Sequence, residues 1–311
     1  MSDFSPHSLA KYARGVNHQR LVWPALENKK VAVYLRRDDL ASDHYPGNKF
    51  YKLFYNIKTI LNTGHRTVVS FGGAYSNHIH ALAAMGQQYG LSTVGIIRGH
   101  QPKILSPTLQ DAVACGMRLF FLDKKAYQQK DISPLTSVLE KDYGTYYLLP
   151  EGGENKAGVL GCQAIGRAIE AEFSATAKSF TVCCAVGTGT TLAGIVSGLS
   201  AERKCIGFSV LKGEGGLSHS VKRWLQKMQC SHQQWQILND YHHGGYAKVN
   251  PALLQFMATV EHANGLLLEP VYSAKMLWGI EQLALADFWP AGSQLIVVHG
   301  GGLQGRRGFA L

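Results

Sequence analysis

One glycine-rich segment of this 311-residue chain has the composition of a phosphate-binding loop. It reads VGTGTTLAG at residues 186–194 and joins an apolar run to a helical pattern. Backbone N–H groups and the positive end of a helix dipole would meet an anion there; a tight turn without a ligand is the alternative. The spacing matches neither GxxxxGKS/T nor GxGxxG, which argues against a P-loop and a dinucleotide loop. The residues expected to bind phosphate are Gly187, Thr188, Gly189, Thr190 and Thr191.

A second loop, SFGGAYSNHIH at residues 70–80, is a candidate carboxylate site. Ser76 and Asn77 are residue types that cap helix N-termini, and free N–H groups together with the Ser76 hydroxyl suit an anion. The alternative is a capped turn that binds nothing. His78 and His80 lie two positions apart, on different sides of a helix, which argues against a shared metal ion.

Two further segments supply a flat wall and a lysine. HGGGLQG at residues 299–305 would let a ring lie against the backbone, or it forms a plain turn. Because no GxSxG is present, a serine hydrolase is not predicted. In DHYPGNKFYKL at residues 43–53, Lys49 opens a helix whose dipole would lower the lysine pKa. A Schiff-base lysine needs a lowered pKa, although an ordinary solvated lysine fits the same pattern.

Short β-branched runs alternate with helical patterns, which predicts an α/β fold with mostly parallel twisted sheets flanked by helices. Ligands bind such sheets beyond the carboxyl ends of the strands, so we expect the site in the loops after Phe71, Val186 and Val298. The predicted strands cover residues 31–36, 66–71, 93–97, 117–122, 146–149, 180–186, 205–211 and 294–298.

Composition narrows the function classes further. Apolar residues make up 46% and charged residues 17%, a globular composition without an apolar run long enough for a membrane helix. No secretory signal is visible, so the cytoplasm is the default expectation. The net charge of +10 comes from scattered residues, and nucleic-acid binding is not expected. The six cysteines form no CxxC pair, so neither disulfides nor a zinc site are predicted.

In their order along the chain, these segments resemble the pyridoxal-phosphate (PLP) enzymes of fold type II, the tryptophan synthase β-like group. Within that group the chain is similar to the branch of 1-aminocyclopropane-1-carboxylate (ACC) deaminase and D-cysteine desulfhydrase. The resemblance spans about residues 20 to 305 and depends on GNKxxKL, GGxxSNH, GTGTTLAG and EPVY taken together.

The resemblance implies a role for each matching residue. Lys49 matches the lysine that holds PLP as a Schiff base and then acts as a base. Lys52 matches a second lysine of the family, which faces the phosphate. Residues 187–191 match the phosphate loop, and Asn77 the asparagine beside the cofactor ring. Ser76, Asn77 and His78 match the segment that receives the substrate carboxylate. Tyr246 and Tyr272 match the pair that flanks the substrate, and Ser273 matches the position that faces the pyridine nitrogen.

Departures from the family pattern favour one activity over another. ACC deaminases typically have glutamate and glutamine where this chain has Ser273 and His78. A carboxylate at the pyridine nitrogen keeps it protonated, whereas a hydroxyl leaves it largely neutral. We therefore expect elimination from D-cysteine to pyruvate, ammonia and sulfide, with ACC deamination to 2-oxobutanoate and ammonia as the alternative. Tyr51 and Tyr75 replace a common arginine and glutamine and leave other substrates open.

The resemblance also implies an architecture. A large PLP-binding domain would comprise residues 1–61 and 159–311, and a small α/β domain would be inserted at residues 62–158, with PLP in the cleft between them. The substrate would be a small amino acid of either handedness, and the enzyme a homodimer. The alternative hypothesis outside this family is a protein that uses the same loops only to bind a phosphate ligand.

Overall fold

A computed structural model describes residues 3–41, 45, 47–175, 179–213, 216–309 and 311. Within these residues, helices alternate with strands along most of the chain. The strands are β1 (His18–Arg20), β2 (Ala32–Arg36), β3 (Thr67–Gly72), β4 (Ser92–Arg98), β5 (Arg118–Leu122), β6 (Tyr147–Leu149), β7 (Thr181–Val186), β8 (Lys204–Ser209), β9 (Trp235–Leu238) and β10 (Gln294–Val298). The helices are α1 (Pro6–Arg14), α2 (Pro24–Glu27), α3 (Asn48–Asn62), α4 (Asn77–Tyr89), α5 (Pro107–Ala114), α6 (Lys124–Gln129), α7 (Ser133–Tyr143), α8 (Lys156–Phe173), α9 (Thr190–Gly198), α10 (Leu217–Lys227), α11 (Pro251–Asn264) and α12 (Ser273–Leu285).

The larger sheet has the order β1-β2-β10-β7-β8-β9, and its neighbours are parallel except for β1 and β2. The apolar runs TVCCAV and QLIVV are the adjacent central strands β7 and β10. Successive residues of β7 enter opposite cores, because strand side chains alternate between the faces: Val182 packs toward α8 and α9, and Cys183 toward α11 and α12. The α/β fold class predicted from the sequence is therefore confirmed.

The smaller sheet has the order β5-β4-β3-β6 and is parallel throughout. On β3, Val68 joins the core shared with the larger sheet, whereas Val69 packs toward α6 and α7. The four strands lie inside residues 62–158, and the domain boundaries at those positions stay a prediction.

Several elements were not predicted from the sequence. β1 is a three-residue edge strand of polar residues, and β9 has no alternating pattern, so neither carries the period-2 signal of a half-buried strand. Helix α1 does carry a local signal: the Ser5 side chain accepts a hydrogen bond from the Ser8 N–H at 3.1 Å, and Pro6 is the first helical residue.

Helix α3 connects the two sheets. One side of it packs in the core shared with α8, where Leu53, Phe54 and Ile57 are fully buried. Its first turn lies beside the chain that follows β10, since the Asn48 N–H donates to the Gly300 carbonyl at 3.1 Å. This packing brings Lys49 to the carboxyl ends of strands from both sheets. Across the described residues, none of the helices combines the length and apolar character needed to span a membrane.

Candidate active site

A cavity of about 400 Å³ lies where the loops at the carboxyl ends of both sheets meet. It gathers most of the site residues predicted from the sequence: Lys49, Lys52, Ser76, Asn77, His78, Gly187, Thr188, Gly189, Thr191, Tyr246 and Tyr272. Thr190 does not line the cavity; it is fully buried behind the loop. Ser273 lines a smaller cavity of about 30 Å³ that shares Lys49 and Asn77 with the first.

Lys49 is half-buried in the wall of the cavity, and its amine lies beside polar side chains. Its Nζ donates to Asn48 Oδ1 at 3.0 Å, and Asn48 Nδ2 donates to Thr191 Oγ1 at 3.0 Å. Burial and, to a smaller extent, the nearby charge of Lys52 lower the pKa of Lys49 to about 7. The low pKa expected of a Schiff-base lysine is therefore present, and its largest cause is burial, whereas the sequence argument depended on the helix dipole.

The loop after β7 has the geometry of an anion cradle. Gly189 adopts φ +84°, a conformation that glycine reaches without strain, and α9 starts at the next residue. The hydroxyls of Thr188 and Thr190 lie 3.0 Å apart. Lys52 is only 4% exposed and its ammonium has neither a hydrogen-bond nor an ion-pair partner among the described residues. Because a buried unpaired charge is unfavourable, this lysine and the loop fit a phosphate group.

The glycines of HGGGLQG contribute to the site in two ways. Gly300 and Gly301 line the smaller cavity, where the sequence predicted a flat wall. Gly302 instead makes room for Asn77: a Cβ at Gly302 would lie 2.2 Å from Asn77 Nδ2. The Asn77 side chain is held there because its Oδ1 accepts a hydrogen bond from Gln304 Nε2 at 2.7 Å.

We expect Gly302→Ala to destabilise the protein and to displace the Asn77 amide. Gly302 has φ +87°, which costs an L-residue about 1–2 kcal/mol, and the added methyl would overlap Asn77. The matched control is Gly265→Ala, where φ is also positive but nothing lies within 4 Å of the added carbon. In urea denaturation, the free energy of unfolding of Gly302→Ala should be about 1–3 kcal/mol lower than that of this control. Equal losses in the two variants would contradict the predicted overlap.

The start of α4 offers backbone groups to a carboxylate. Ser76 caps the helix, because its Oγ accepts from the Ile79 N–H at 3.3 Å, and first-turn N–H groups have no partner inside a helix. The imidazole of His78 has a partner inside the protein, because its Nε2 lies 2.8 Å from Ser70 Oγ, and burial lowers the pKa of His78 to about 3. Ser70 Oγ donates to Leu149 O, so the neutral imidazole donates through Nε2. His78 Nδ1 is then a buried acceptor without a partner among the described residues, so His78 offers an anion only its backbone N–H.

The two predicted tyrosines face each other across one side of the cavity. The rings of Tyr246 and Tyr272 are 6.1 Å apart in an edge-to-face arrangement. Burial raises the pKa of both hydroxyls, so they stay protonated at neutral pH and can donate a hydrogen bond. The loop that carries Tyr246 is fixed by a buried lysine that sequence reasoning missed, since Lys275 Nζ donates to the Gly245 carbonyl at 2.7 Å.

Glu269 was part of the EPVY motif, but no role was predicted for it. Its side chain is 1% exposed, and its two oxygens accept the N–H groups of Val271 and Tyr272 at 2.7 Å. Burial raises the pKa of Glu269 to about 7. Ser273 Oγ donates to the Glu269 carbonyl at 2.9 Å and accepts the Glu269 N–H at 2.7 Å. Glu269 therefore fixes the backbone that carries both Tyr272 and Ser273, and the role of Ser273 at a ring nitrogen stays a prediction.

A group of charged side chains on the rim of the smaller sheet was also missed. Arg98 ends β4, and it lines the cavity together with Tyr127 and Glu151. Tyr127 donates its hydroxyl to Glu151 Oε1 at 2.6 Å, and Lys130 pairs with the other carboxylate oxygen. The position of Arg98 at the carboxyl end of a predicted parallel strand is the signal that could have found it.

Comparison with known proteins identifies relatives over nearly the whole chain. Residues 20–301 match the family model described as "Pyridoxal-phosphate dependent enzyme". A Pyrococcus abyssi protein that is provisionally named 1-aminocyclopropane-1-carboxylate deaminase is 29% identical over 285 residues, which cover 88% of this chain and 86% of that protein. The mitochondrial bifunctional D-cysteine desulfhydrase/1-aminocyclopropane-1-carboxylate deaminase of Arabidopsis thaliana is 27% identical, covering 91% of this chain and 75% of that protein.

A solved structure is similar in fold. The structure described as an ACC deaminase homologue has a TM-score of 0.81 and 25% identity, and the match covers 95% of this chain and 91% of the other. An O-ureido-L-serine synthase has the same fold at 13% identity, with a TM-score of 0.71 and coverage of 97% and 93% of the two chains.

Proposed function

This chain belongs to the family of pyridoxal-phosphate-dependent enzymes, in the ACC deaminase and D-cysteine desulfhydrase branch, and from that premise we propose that it catalyses β-elimination from D-cysteine. Its cofactor is PLP, and it is a lyase or deaminase of a small amino acid. In the proposed reaction, cysteine and water give pyruvate, ammonia and hydrogen sulfide. The Cβ–S bond breaks, and water supplies the oxygen of the keto group.

The residues of the cavity suit PLP at both of its ends. The 187–191 loop and the unpaired ammonium of Lys52 would bind the phosphate. Lys49, with its pKa near 7, has an amine that is neutral often enough to bind the aldehyde carbon covalently. Asn77 and the glycine wall would border the ring. When bound, PLP supplies an electron sink for the pair released at Cα of an amino acid.

The substrate would lie between the start of α4 and the two tyrosines. Ser76 Oγ and the free N–H groups of Asn77 and His78 would bind the α-carboxylate. The Lys49 amine would take the proton from Cα, because it lies beside the cavity and, with a pKa of about 7, is neutral in part of the molecules at pH 7. The protonated hydroxyls of Tyr246 and Tyr272 would donate hydrogen bonds to the departing sulfur.

The observation that carries the preference for D-cysteine is the hydroxyl of Ser273 at the start of α12. It lines the smaller cavity beside Lys49, where ACC deaminases typically have a carboxylate. A neutral hydroxyl would weaken the electron sink, which suits removal of an acidic Cα–H better than ring opening. Deamination of ACC is the second candidate, because the names of the Pyrococcus and Arabidopsis relatives include it.

The test is an absorbance titration of the PLP-loaded enzyme with D-cysteine, L-cysteine, D-serine and ACC, with assays for keto acids and sulfide. We expect D-cysteine to change the absorption band and to yield pyruvate and sulfide in equal amounts. Formation of 2-oxobutanoate from ACC at a higher kcat/KM would favour the second candidate. A yellow protein that turns over none of these compounds would contradict both activities and leave the alternative of a ligand-binding protein.

A further inference from the structure

The charged groups of the cavity include one cation that the proposed reaction does not use. Lys49 would bind the PLP aldehyde, Lys52 faces the phosphate loop, and the start of α4 provides neutral donors for the α-carboxylate. Arg98 is the third cation lining the cavity. It has no hydrogen-bond or ion-pair partner in the part of the chain that the structure describes. Neither the thiol of cysteine nor the ring of ACC carries a charge that would pair with it.

The surroundings of Arg98 leave its charge available. The carboxylate that lines the cavity together with Arg98 belongs to Glu151, and each of its oxygens already has a partner, one the Tyr127 hydroxyl and the other Lys130. Lys130 Nζ also lies 3.8 Å from the centre of the Tyr127 ring, and this cation–π contact favours the position in which Lys130 pairs with Glu151. The rim therefore carries two cations and one anion, with a surplus positive charge on the exposed guanidinium.

The position of Arg98 relates it to the segment that we propose binds the substrate. Arg98 ends β4, the neighbour of β3, and the chain after β3 leads directly to Ser76 and Asn77. Its charge also acts on the hydroxyl of Tyr246 across the cavity, where it opposes the rise in that pKa. Arg98 and Tyr246 both line the cavity and interact electrostatically, on the side where we place the substrate side chain.

We propose that Arg98 forms a second anion subsite, so that besides its proposed substrate the cavity binds amino acids whose side chain ends in an anionic group. A planar guanidinium binds a carboxylate, sulfonate or phosphonate through two parallel hydrogen bonds. This inference rests on the proposed amino-acid chemistry of the same cavity and adds the substrate class: alanines with a negatively charged β-substituent bind better than neutral analogues of the same shape.

Aspartate and asparagine form a matched pair for the test, because they differ in charge and hardly in shape. Binding of both enantiomers of each to the PLP-loaded enzyme is measured by titration calorimetry. We expect aspartate of one handedness to bind at least about tenfold more tightly than asparagine, the effect of one charge-assisted hydrogen bond. In Arg98→Gln this ratio should fall to about one, and Arg98→Lys should restore part of it. Arg20→Gln, which removes the same charge from the exposed end of β1, should keep the wild-type ratio.

The outcomes separate this inference from the proposed function. An enzyme that eliminates sulfide from D-cysteine but binds aspartate no better than asparagine, or binds neither, retains the proposed function and overturns the subsite. Equal weakening of both ligands in Arg98→Gln would place the guanidinium at the α-carboxylate and overturn the subsite as well. An enzyme whose absorption band responds to no amino acid overturns both.

Discussion

Lys49→Ala is expected to abolish the covalent attachment of PLP and to reduce turnover by at least about 10⁴-fold. Loss of the amine removes both the group that would bind the cofactor aldehyde and the proposed base at Cα, and a single general base contributes about 10²–10⁴-fold. The measurement is the mass of the protein after borohydride reduction, together with pyruvate formation from D-cysteine. Wild-type protein should gain the mass of one reduced PLP, and the variant none.

The matched control for this variant is Lys58→Ala on the same helix. Lys58 is half-buried on α3 and does not line the cavity, so its loss should leave PLP attachment and turnover intact. A Lys49→Ala enzyme with wild-type turnover, or one that still fixes PLP on reduction, would end the mechanism proposed above. Peptide mapping of the reduced wild-type protein should also place the label on Lys49 and not on Lys52.

Arg36→Met is expected to lower the free energy of unfolding by about 3–5 kcal/mol, because it leaves a buried carboxylate without its cation. Arg36 and Asp38 are both fully buried, and Arg36 Nε donates to Asp38 Oδ2 at 3.0 Å. Tyr51 joins them: its hydroxyl donates to Asp38 Oδ1 at 2.7 Å and accepts from Arg36 Nη2 at 3.1 Å. The measurement is urea denaturation followed by circular dichroism.

The decrease in the free energy of unfolding caused by Arg36→Met should be smaller at pH 4 than at pH 7. Burial raises the pKa of Asp38, and Arg36 opposes that rise. Without the guanidinium, the folded-state pKa rises further above the unfolded value, so stability falls as pH increases from the unfolded pKa toward the folded one. Arg14→Met is the control, because Arg14 is an exposed residue of α1 and should change stability by less than about 0.5 kcal/mol. A pH-independent loss would contradict the buried charge.

The same group of residues explains one departure from the family pattern. The motif GNKxRKL has an arginine where this chain has Tyr51, which suggested an unusual substrate. Tyr51 is fully buried behind Lys49 and does not line the cavity. A guanidinium is present beside it, supplied by Arg36 from β2. The departure therefore changes the support beneath α3 and carries no information about the substrate. Tyr75 likewise lies outside the cavity, exposed beside Gly308.

Local patterns in the chain were sufficient for the fold class and for the loops of the site. Parallel strands buried on both faces must be apolar throughout, which is why β7 and β10 could be predicted from TVCCAV and QLIVV. The two loops depend on glycines and helix caps that are consecutive in sequence. Residues 187–191 and 76–78 could therefore be predicted as parts of the site, and all but Thr190 line the cavity. Lys49 could be predicted as the Schiff-base lysine because it belongs to the motif GNKxxKL.

The remaining features depend on contacts between residues far apart in the chain. The pKa of Lys49 is set mainly by burial under the surrounding elements, and no local pattern reports burial. Arg98, Glu151 and Glu269 meet the site only because the carboxyl ends of two sheets face one cavity. Whether a charged side chain is paired, as Arg36 is, or unpaired, as Arg98 is, depends on which partners lie within about 3 Å of it. The amino-acid order therefore sufficed for the segments that line the cavity, whereas the charges around the cavity were decided by packing across the chain.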